Sequence, residues 1–298
     1  MAYTSGDTIL DNHYNDFATS VNAIWGTGSG DHGYGQTNTV SAVSTSTTIA
    51  ASQWTTLLAR MSSSASHQGS SITAISNPSG GGTISAFTAL SGNVTTINNN
   101  RLNVSSRAGN VESNCSTTTN LTGTIEQRGT WTWGSTDQAR FFFNTGGRIS
   151  CRWDISSYTS DTKAERWNTL AGNCGTYYIN AQSSGKSGGG GSANINNTNL
   201  GWHDLTGSYQ TAFKQFAAST YTANYIQLDL YKSNNIVYFR SYWADAESDQ
   251  TSWNKSIYNV QDQTDGTKQT FFGHEESETS HIADTWGDGP SQAVVANG

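Results

Sequence analysis

Two alternating runs of residues constrain this fold most. In residues 225–231, apolar side chains occupy every second position (Ile226, Leu228 and Leu230), and polar side chains stand between them. Successive side chains of a β-strand point to opposite faces, so this pattern predicts a strand with one buried face. A second β-rich run, 236–243, follows after a short Lys-Ser-Asn-Asn stretch. Together the runs predict a β-hairpin.

Several other short runs after about residue 110 are rich in aromatic and β-branched residues, which favour strands. We expect strands over 130–133, 139–144, 148–153 and 175–179, with helical interruptions only near 161–170 and 209–217. Short strands at such intervals favour antiparallel pairing. The predicted fold class is therefore α+β and mainly β: short N-terminal helices over 1–107, then a jelly-roll-like antiparallel β-sandwich domain over 108–298 that ends in an acidic C-terminal tail.

The first 107 residues contain apolar stripes at helical spacing, which predict three helices. These helices have few charged side chains on their outer faces, and isolated helices of this length gain most of their stability from packing. We therefore expect region 1–107 to attach or oligomerise the chain, as in a homo-oligomer. The predicted assembly interface consists of the stripe residues Leu10, Tyr14, Phe17, Val21, Ile24, Trp54, Leu57, Val94 and Ile97.

Charge and hydropathy exclude several function classes. The net charge is −7, and the 15 Lys and Arg residues are scattered, so no basic stripe is available to neutralise a phosphate backbone. No apolar run approaches the length of a membrane span. We therefore expect neither a nucleic-acid partner nor a membrane. Cys115, Cys151 and Cys174 are odd in number and widely spaced, which favours buried free thiols.

Motifs that carry chemistry are weak. Lys186 and Ser187 lie in a glycine-rich stretch, 183–192, without the glycine spacing of a phosphate-binding loop, and we expect a flexible loop there. His274, Glu278 and His281 would share a face if helical and could then hold Zn²⁺ or Ni²⁺, but a solvated acidic tail explains them equally well. We therefore expect no enzyme, cofactor or metal site.

Tryptophans are the candidate ligand-contacting residues of the second domain. Trp131 and Trp133 are two residues apart, so they lie on one strand face, and Trp243 and Trp253 add further aromatic surface. A platform of this kind, among abundant Asn, Ser and Thr, would suit a glycan. Burial in the core of the sandwich is the favoured alternative for each of them.

Several segments resemble structural proteins of tailed-bacteriophage particles. They are Asn-Ala-Ile-Trp-Gly-Thr-Gly at 22–28, Gly-Tyr-Gly-Gln at 33–36, Gln53-Trp54 with Leu57, His-Gln-Gly at 67–69, and the run at 139–149. The resemblance implies a non-enzymatic virion component of the tail, fibre or neck, assembled in the host cytoplasm. Its partners would be further copies and other virion proteins. The alternative function is a carbohydrate-binding receptor-recognition or capsid decoration protein, with a host surface glycan as partner.

Overall fold

A computed structural model describes residues 11–44, 48–77, 86–118, 123–158, 162–218, 221–246, 266–278, 280–282 and 289–297. The described residues form five α-helices: α1 Asp11–Trp25, α2 Ala51–Gln68, α3 Phe87–Asn99, α4 Thr136–Asn144 and α5 Thr162–Cys174. They also form eleven β-strands: β1 Val111–Thr117, β2 Thr124–Thr132, β3 Arg148–Ser156, β4 Thr176–Ile179, β5 Ser184–Ser187, β6 Ile195–Asn196, β7 Gln210–Phe216, β8 Tyr225–Ser233, β9 Ile236–Ala244, β10 Thr267–Glu275 and β11 Ser291–Asn297.

All strand pairs between neighbours are antiparallel. Five strands form one sheet in the order β1-β10-β3-β4-β5, and six form the other in the order β11-β2-β9-β8-β7-β6. Residues of the two sheets pack face to face: the ring of Trp153 stacks on that of Phe213 at 5.2 Å, and Trp131 meets Phe272 edge-on. The predicted fold class, α+β and mainly β with an antiparallel sandwich, is confirmed.

The chain divides into two compact units, each assembled from three segments. The helical unit takes residues 1–109, 137–147 and 276–289, and the sandwich unit takes 110–136, 148–275 and 290–298. The sequence placed the domain boundary at 107/108, whereas residues 137–147, which contain all of α4 except its first residue, and residues 276–289 belong to the helical unit. Neither unit is therefore a continuous stretch of chain.

The helical unit has a core of its own, built from the apolar stripes of α1, α2 and α3. Tyr14, Val21, Leu57, Leu90 and Ile97 are all fully buried in it. Burial of this apolar surface within one chain is the main stabilising contribution to three helices that have few ion pairs.

Asparagine side chains bind extended segments to the helices of this unit. The Asn22 amide donates to the carbonyl of Val40, and its oxygen accepts from the Val40 N–H, each at 2.8 Å. Asn15 pairs with Val43 in the same two-way manner, and Asn93 of α3 with Thr73. A side-chain amide can replace a strand partner in this way because it carries both a donor and an acceptor.

A glycine-rich loop, residues 26–36, is held by α4. The Arg140 guanidinium donates to the carbonyls of His32 and Thr27, and Asn144 donates to three carbonyls of the same loop. A Cβ at Gly33, whose φ is +98°, would lie 2.1 Å from the Thr27 carbonyl oxygen, so no larger residue fits. The loop is therefore a packed structural element.

Three local expectations are wrong. Residues 139–144 form most of helix α4, in which Asp137 and Arg140 pair three positions apart, and not a strand. Residues 209–217 contain strand β7, because pairing with β8 outweighs their helical spacing. The stretch 183–192 is not a flexible loop: Lys186 of β5 donates to the carbonyls of Gly190 and Gly191 and fixes the turn.

Candidate functional site

The described residues of the predicted assembly interface lie in the core of the helical unit or pack against it, so they do not form an intermolecular interface. Tyr14, Phe17, Val21, Ile24, Trp54, Leu57 and Ile97 are buried in its core, and Val94 packs against that core. Leu10 lies outside the described residues. The expectation failed because the stripes of the three helices face one another within one chain.

For the described tryptophans the favoured alternative, burial in the core of the sandwich, is confirmed, and the glycan platform is wrong. Trp131 and Trp243 have no exposed surface, and Trp133 is 3% exposed. Spacing of two residues does place Trp131 and Trp133 on one strand face, but that face is the interior one. Trp253 lies outside the described residues.

Buried hydrogen bonds help the sandwich to accommodate the indoles of Trp153 and Trp243. The Trp153 indole N–H donates to the Ser241 hydroxyl at 2.7 Å, and the Trp243 N–H donates to Gln127 and Thr270. A buried indole N–H without a partner would cost free energy, so these polar core residues are part of the packing.

The other candidate groups do not form a reactive site. His274 lies in strand β10 of the sandwich unit, whereas Glu278 and His281 belong to the helical unit. Among the described residues, no three His, Cys, Asp or Glu side chains are placed to hold a metal ion. The three cysteines are buried free thiols, as predicted, and burial raises the pKa of each thiol.

The outer face of the six-stranded sheet carries a set of aromatic and polar side chains, most of them partly exposed, that the sequence did not single out as a binding surface. Most of them alternate with the core residues of β2, β7, β8 and β9, and one, Tyr209, directly precedes β7. We call this set the tyrosine face; it consists of Tyr209, Phe216, Tyr225, Tyr231, Tyr238, Tyr242, Lys214, Arg128, Arg240, Glu126, Asp229 and Gln227.

Strand register arranges much of the tyrosine face in cross-strand rows. Tyr231 lies opposite Tyr238, and their rings stack at 4.3 Å with an interplanar angle of 3°. The ring of Tyr209 meets Tyr231 edge-on at 4.6 Å. Cross-strand aromatic contacts of this kind stabilise a sheet and hold the rings in place. One end of the face is thus a fixed cluster of three tyrosines.

The next row is an ion pair. Asp229 lies opposite Arg240, whose Nε donates to Asp229 Oδ2 at 3.0 Å, and Gln227 donates to the other carboxylate oxygen at 2.9 Å. Only 4% of the Asp229 side chain is exposed, against 28% for Arg240. The guanidinium also lies over the Tyr209 ring, 3.9 Å from its centroid. The centre of the face is thereby polar and fixed.

The far end of the face combines a cation with two rings. Tyr225 lies opposite Phe216, with ring centroids 5.3 Å apart, and Lys214 Nζ is 3.6 Å from the Tyr225 ring centroid. Tyr225 and Tyr231 are six residues apart on one strand, which is about 20 Å. The tyrosine face is therefore elongated, with aromatic ends and a polar middle.

Three phenols of this face, those of Tyr209, Tyr231 and Tyr242, remain protonated over the physiological pH range. Burial among neighbouring side chains raises the pKa of Tyr209, Tyr231 and Tyr242 above the ordinary value. Each hydroxyl can then both donate and accept a hydrogen bond. Rings, hydroxyls, an amide and an ion pair on one surface suit a ligand that has both apolar faces and hydroxyl groups.

A sequence signal for this face was present in the hairpin. Gln227 and Asp229 alternate with apolar residues and were already expected to face away from Ile226, Leu228 and Leu230. The same alternation places Tyr225 and Tyr231 on the outward side of the first run. In the second run it likewise sets Tyr238 and Tyr242 apart from the apolar residues.

Comparison with known proteins gives no match: no family model matches the sequence, no curated protein matches it, and no solved structure matches the fold. Within the described part of the chain, no helix is both long enough and apolar enough to cross a membrane.

Proposed function

We propose that this chain is a structural component of a tailed-phage virion, of the tail, fibre or neck type, and that it works by binding and not by catalysis. The tyrosine face carries the binding part of the proposal. It is a partly exposed surface with fixed rings and hydrogen-bonding groups, which is the composition of a recognition surface. The sandwich unit would present this face to a partner such as a glycan of the host surface.

The organisation of the helical unit supports the attachment part of the proposal. The segments that resemble phage structural proteins include the glycine-rich loop, parts of α1 and α2, and residues in and after α4. Nearly all of them belong to the same unit, and Arg140 and Asn144 bind the loop directly. The resemblance thus falls on one structural module, which we assign to attachment within the particle.

Self-association remains part of the proposal, but it must use other surfaces than the apolar stripes. Replacing Phe17 or Val21 with Asp would place a charge in the core of the helical unit, so we expect unfolding and not clean dissociation. The native mass of the full-length chain, measured by light scattering, tests this point. A discrete oligomer supports self-association, and a monomer at all concentrations contradicts it.

Labelling of particles tests the virion role. Antibodies against the purified full-length chain are applied to particles of a phage whose genome encodes the chain. Bound antibody is then located by immunogold electron microscopy. We expect label at the tail, fibres or neck, and none on particles of an unrelated phage. Detection of the chain in the lysate but never on particles would overturn the proposal.

The tyrosine face favours receptor recognition over capsid decoration as the binding role. A Tyr231→Ala protein incorporated into particles should keep particle assembly and reduce adsorption to host cells. The matched variant is Tyr178→Ala, which removes a partly exposed tyrosine from the outer face of the five-stranded sheet. Equal adsorption by all three particle types would contradict a receptor role for this face.

A further inference from the structure

We propose that the tyrosine face binds an extended, uncharged oligosaccharide that lies along strand β8. This inference rests on the recognition role proposed above and names the ligand class for that role. Its starting point is the position of Tyr225 and Tyr231 at the two ends of one strand face, with Gln227 and Asp229 between them.

The polar groups of the face are paired in a way that favours an uncharged ligand. Arg240 is bound by Asp229, and Arg128 by Glu126. Lys214 lies over the Tyr225 ring. The defined face has three cations and two carboxylates, so its charge is nearly balanced. A polyanion would have to displace the carboxylates from their guanidinium partners, whereas a neutral ligand leaves both pairs intact.

Sugar chemistry complements the remaining surface. A pyranose ring has C–H groups that pack on aromatic rings and hydroxyls that both donate and accept hydrogen bonds. The phenol hydroxyls and the oxygen of the Gln227 amide supply those hydrogen bonds beside the rings. The Tyr231–Tyr238 stack and the Arg240–Asp229 pair fix these groups before binding, which lowers the entropy cost of ordering them.

Surface composition favours a glycan over a protein partner. The fully buried centre of a protein–protein interface is depleted in charged residues. Here the centre of the face is the ion pair of Arg240 and Asp229. The large hydrophobic side chains that are well exposed among the described residues, Val111, Ile195 and Val294, belong to β1, β6 and β11 and are not part of the face.

The length of the face sets the length of the ligand. Its two aromatic ends are about 20 Å apart, so a monosaccharide contacts only one end. Affinity should rise as sugar residues are added until the chain reaches both ends, and then stay constant.

A glycan array followed by calorimetry tests the inference on the full-length protein. The array carries uncharged linear oligosaccharides of increasing length (gluco-, manno- and N-acetylglucosamine oligomers) and anionic uronate oligomers. We expect binding to an uncharged series that strengthens with length. Tyr225→Ala and Tyr231→Ala should each weaken binding of the best oligomer about tenfold, while Tyr178→Ala should leave binding unchanged. Circular dichroism melting checks that each variant is folded.

Four results would overturn the inference: no binding to any uncharged oligomer, preference for the anionic series, equal binding by the tyrosine variants and the parent, or binding only to a protein on host cells. None of them bears on whether the chain is in the particle, because immunogold labelling is measured without a ligand. Labelled particles together with a negative array would therefore leave the virion role standing and remove only the glycan.

Discussion

The two faces of the six-stranded sheet are made by the same strands and have opposite chemistry. On the inner face, β2 and β9 place Trp131, Phe239 and Trp243 out of contact with water. On the outer face, β9 places Tyr238 and Tyr242 beside Arg240. The period of two residues alone assigns each side chain to one face or the other.

This comparison shows what the kind of aromatic residue means in this chain. The described tryptophans of the sheet are core residues whose N–H groups find buried partners, whereas the tyrosines of the outer face are arranged around charged side chains. Inner residues should therefore control stability, and outer residues should control binding.

The largest effect is expected from Trp243. Trp243→Ala removes a fully buried indole and should lower the free energy of unfolding by about 3–5 kcal/mol. Tyr242→Ala, at the adjacent position on the outer face, should cost about 1 kcal/mol or less. Urea unfolding followed by circular dichroism measures both. If the two variants lost similar amounts of unfolding free energy, the inner and outer faces would not differ in their contribution to stability.

An intermediate effect is expected from the ion pair, where the outer face has a nearly buried carboxylate. Asp229→Asn removes the charge that Arg240 binds and should cost about 1.5–3 kcal/mol. Glu126→Gln is the matched change on the same face. Its partner Arg128 is 47% exposed, so the loss should stay below about 1 kcal/mol. If Glu126→Gln lowered the free energy of urea unfolding more than Asp229→Asn did, burial would not determine how much these two ion pairs contribute to stability.

Much of the fold was predictable because it depends on local patterns. The stripes of α1, α2 and α3 and the alternation of β8 and β9 gave the elements and the fold class correctly. Residues 139–144 and 209–217 were assigned the wrong type of element because short apolar runs fit both periods. For β7, pairing with its neighbouring strand decided the outcome.

Less of the site was predictable, because burial depends on which faces meet. The sequence shows the stripe of Phe17 and Val21, but it does not show that residues near 40 and 43 pair with Asn22 and Asn15 and cover α1 within the chain. It likewise places Trp131 and Trp133 on one face without showing which face is the interior one. Partners distant in sequence decide both questions.

A smaller effect is expected from the tyrosine stack. In a double-mutant cycle with alanine at Tyr231 and Tyr238, the coupling energy should be about 0.5–1.5 kcal/mol, because the two rings are in contact. A cycle between Tyr231 and Tyr242, which are not opposite each other in the register, should give a coupling below about 0.5 kcal/mol. Unfolding free energies of the single and double variants provide both values. No coupling in the first cycle would mean that the rings do not hold each other in place.

The smallest effect is a difference in ionisation between the faces. Burial raises the pKa of Tyr177, on the interior of the sandwich, to about 12, and it raises the pKa of Tyr231 on the outer face. In the unfolded chain these phenols ionise near pH 10. Above that pH the folded state holds more protons than the unfolded state, so the stability that the phenols contribute is present below about pH 10 and is lost as the pH rises further. NMR of tyrosines labelled at Cζ should show Tyr231 ionising before Tyr177, with Tyr177→Phe and Tyr231→Phe assigning the signals. Ionisation of Tyr177 first would mean that the outer face is the better shielded of the two, and it would then be a poor surface for binding.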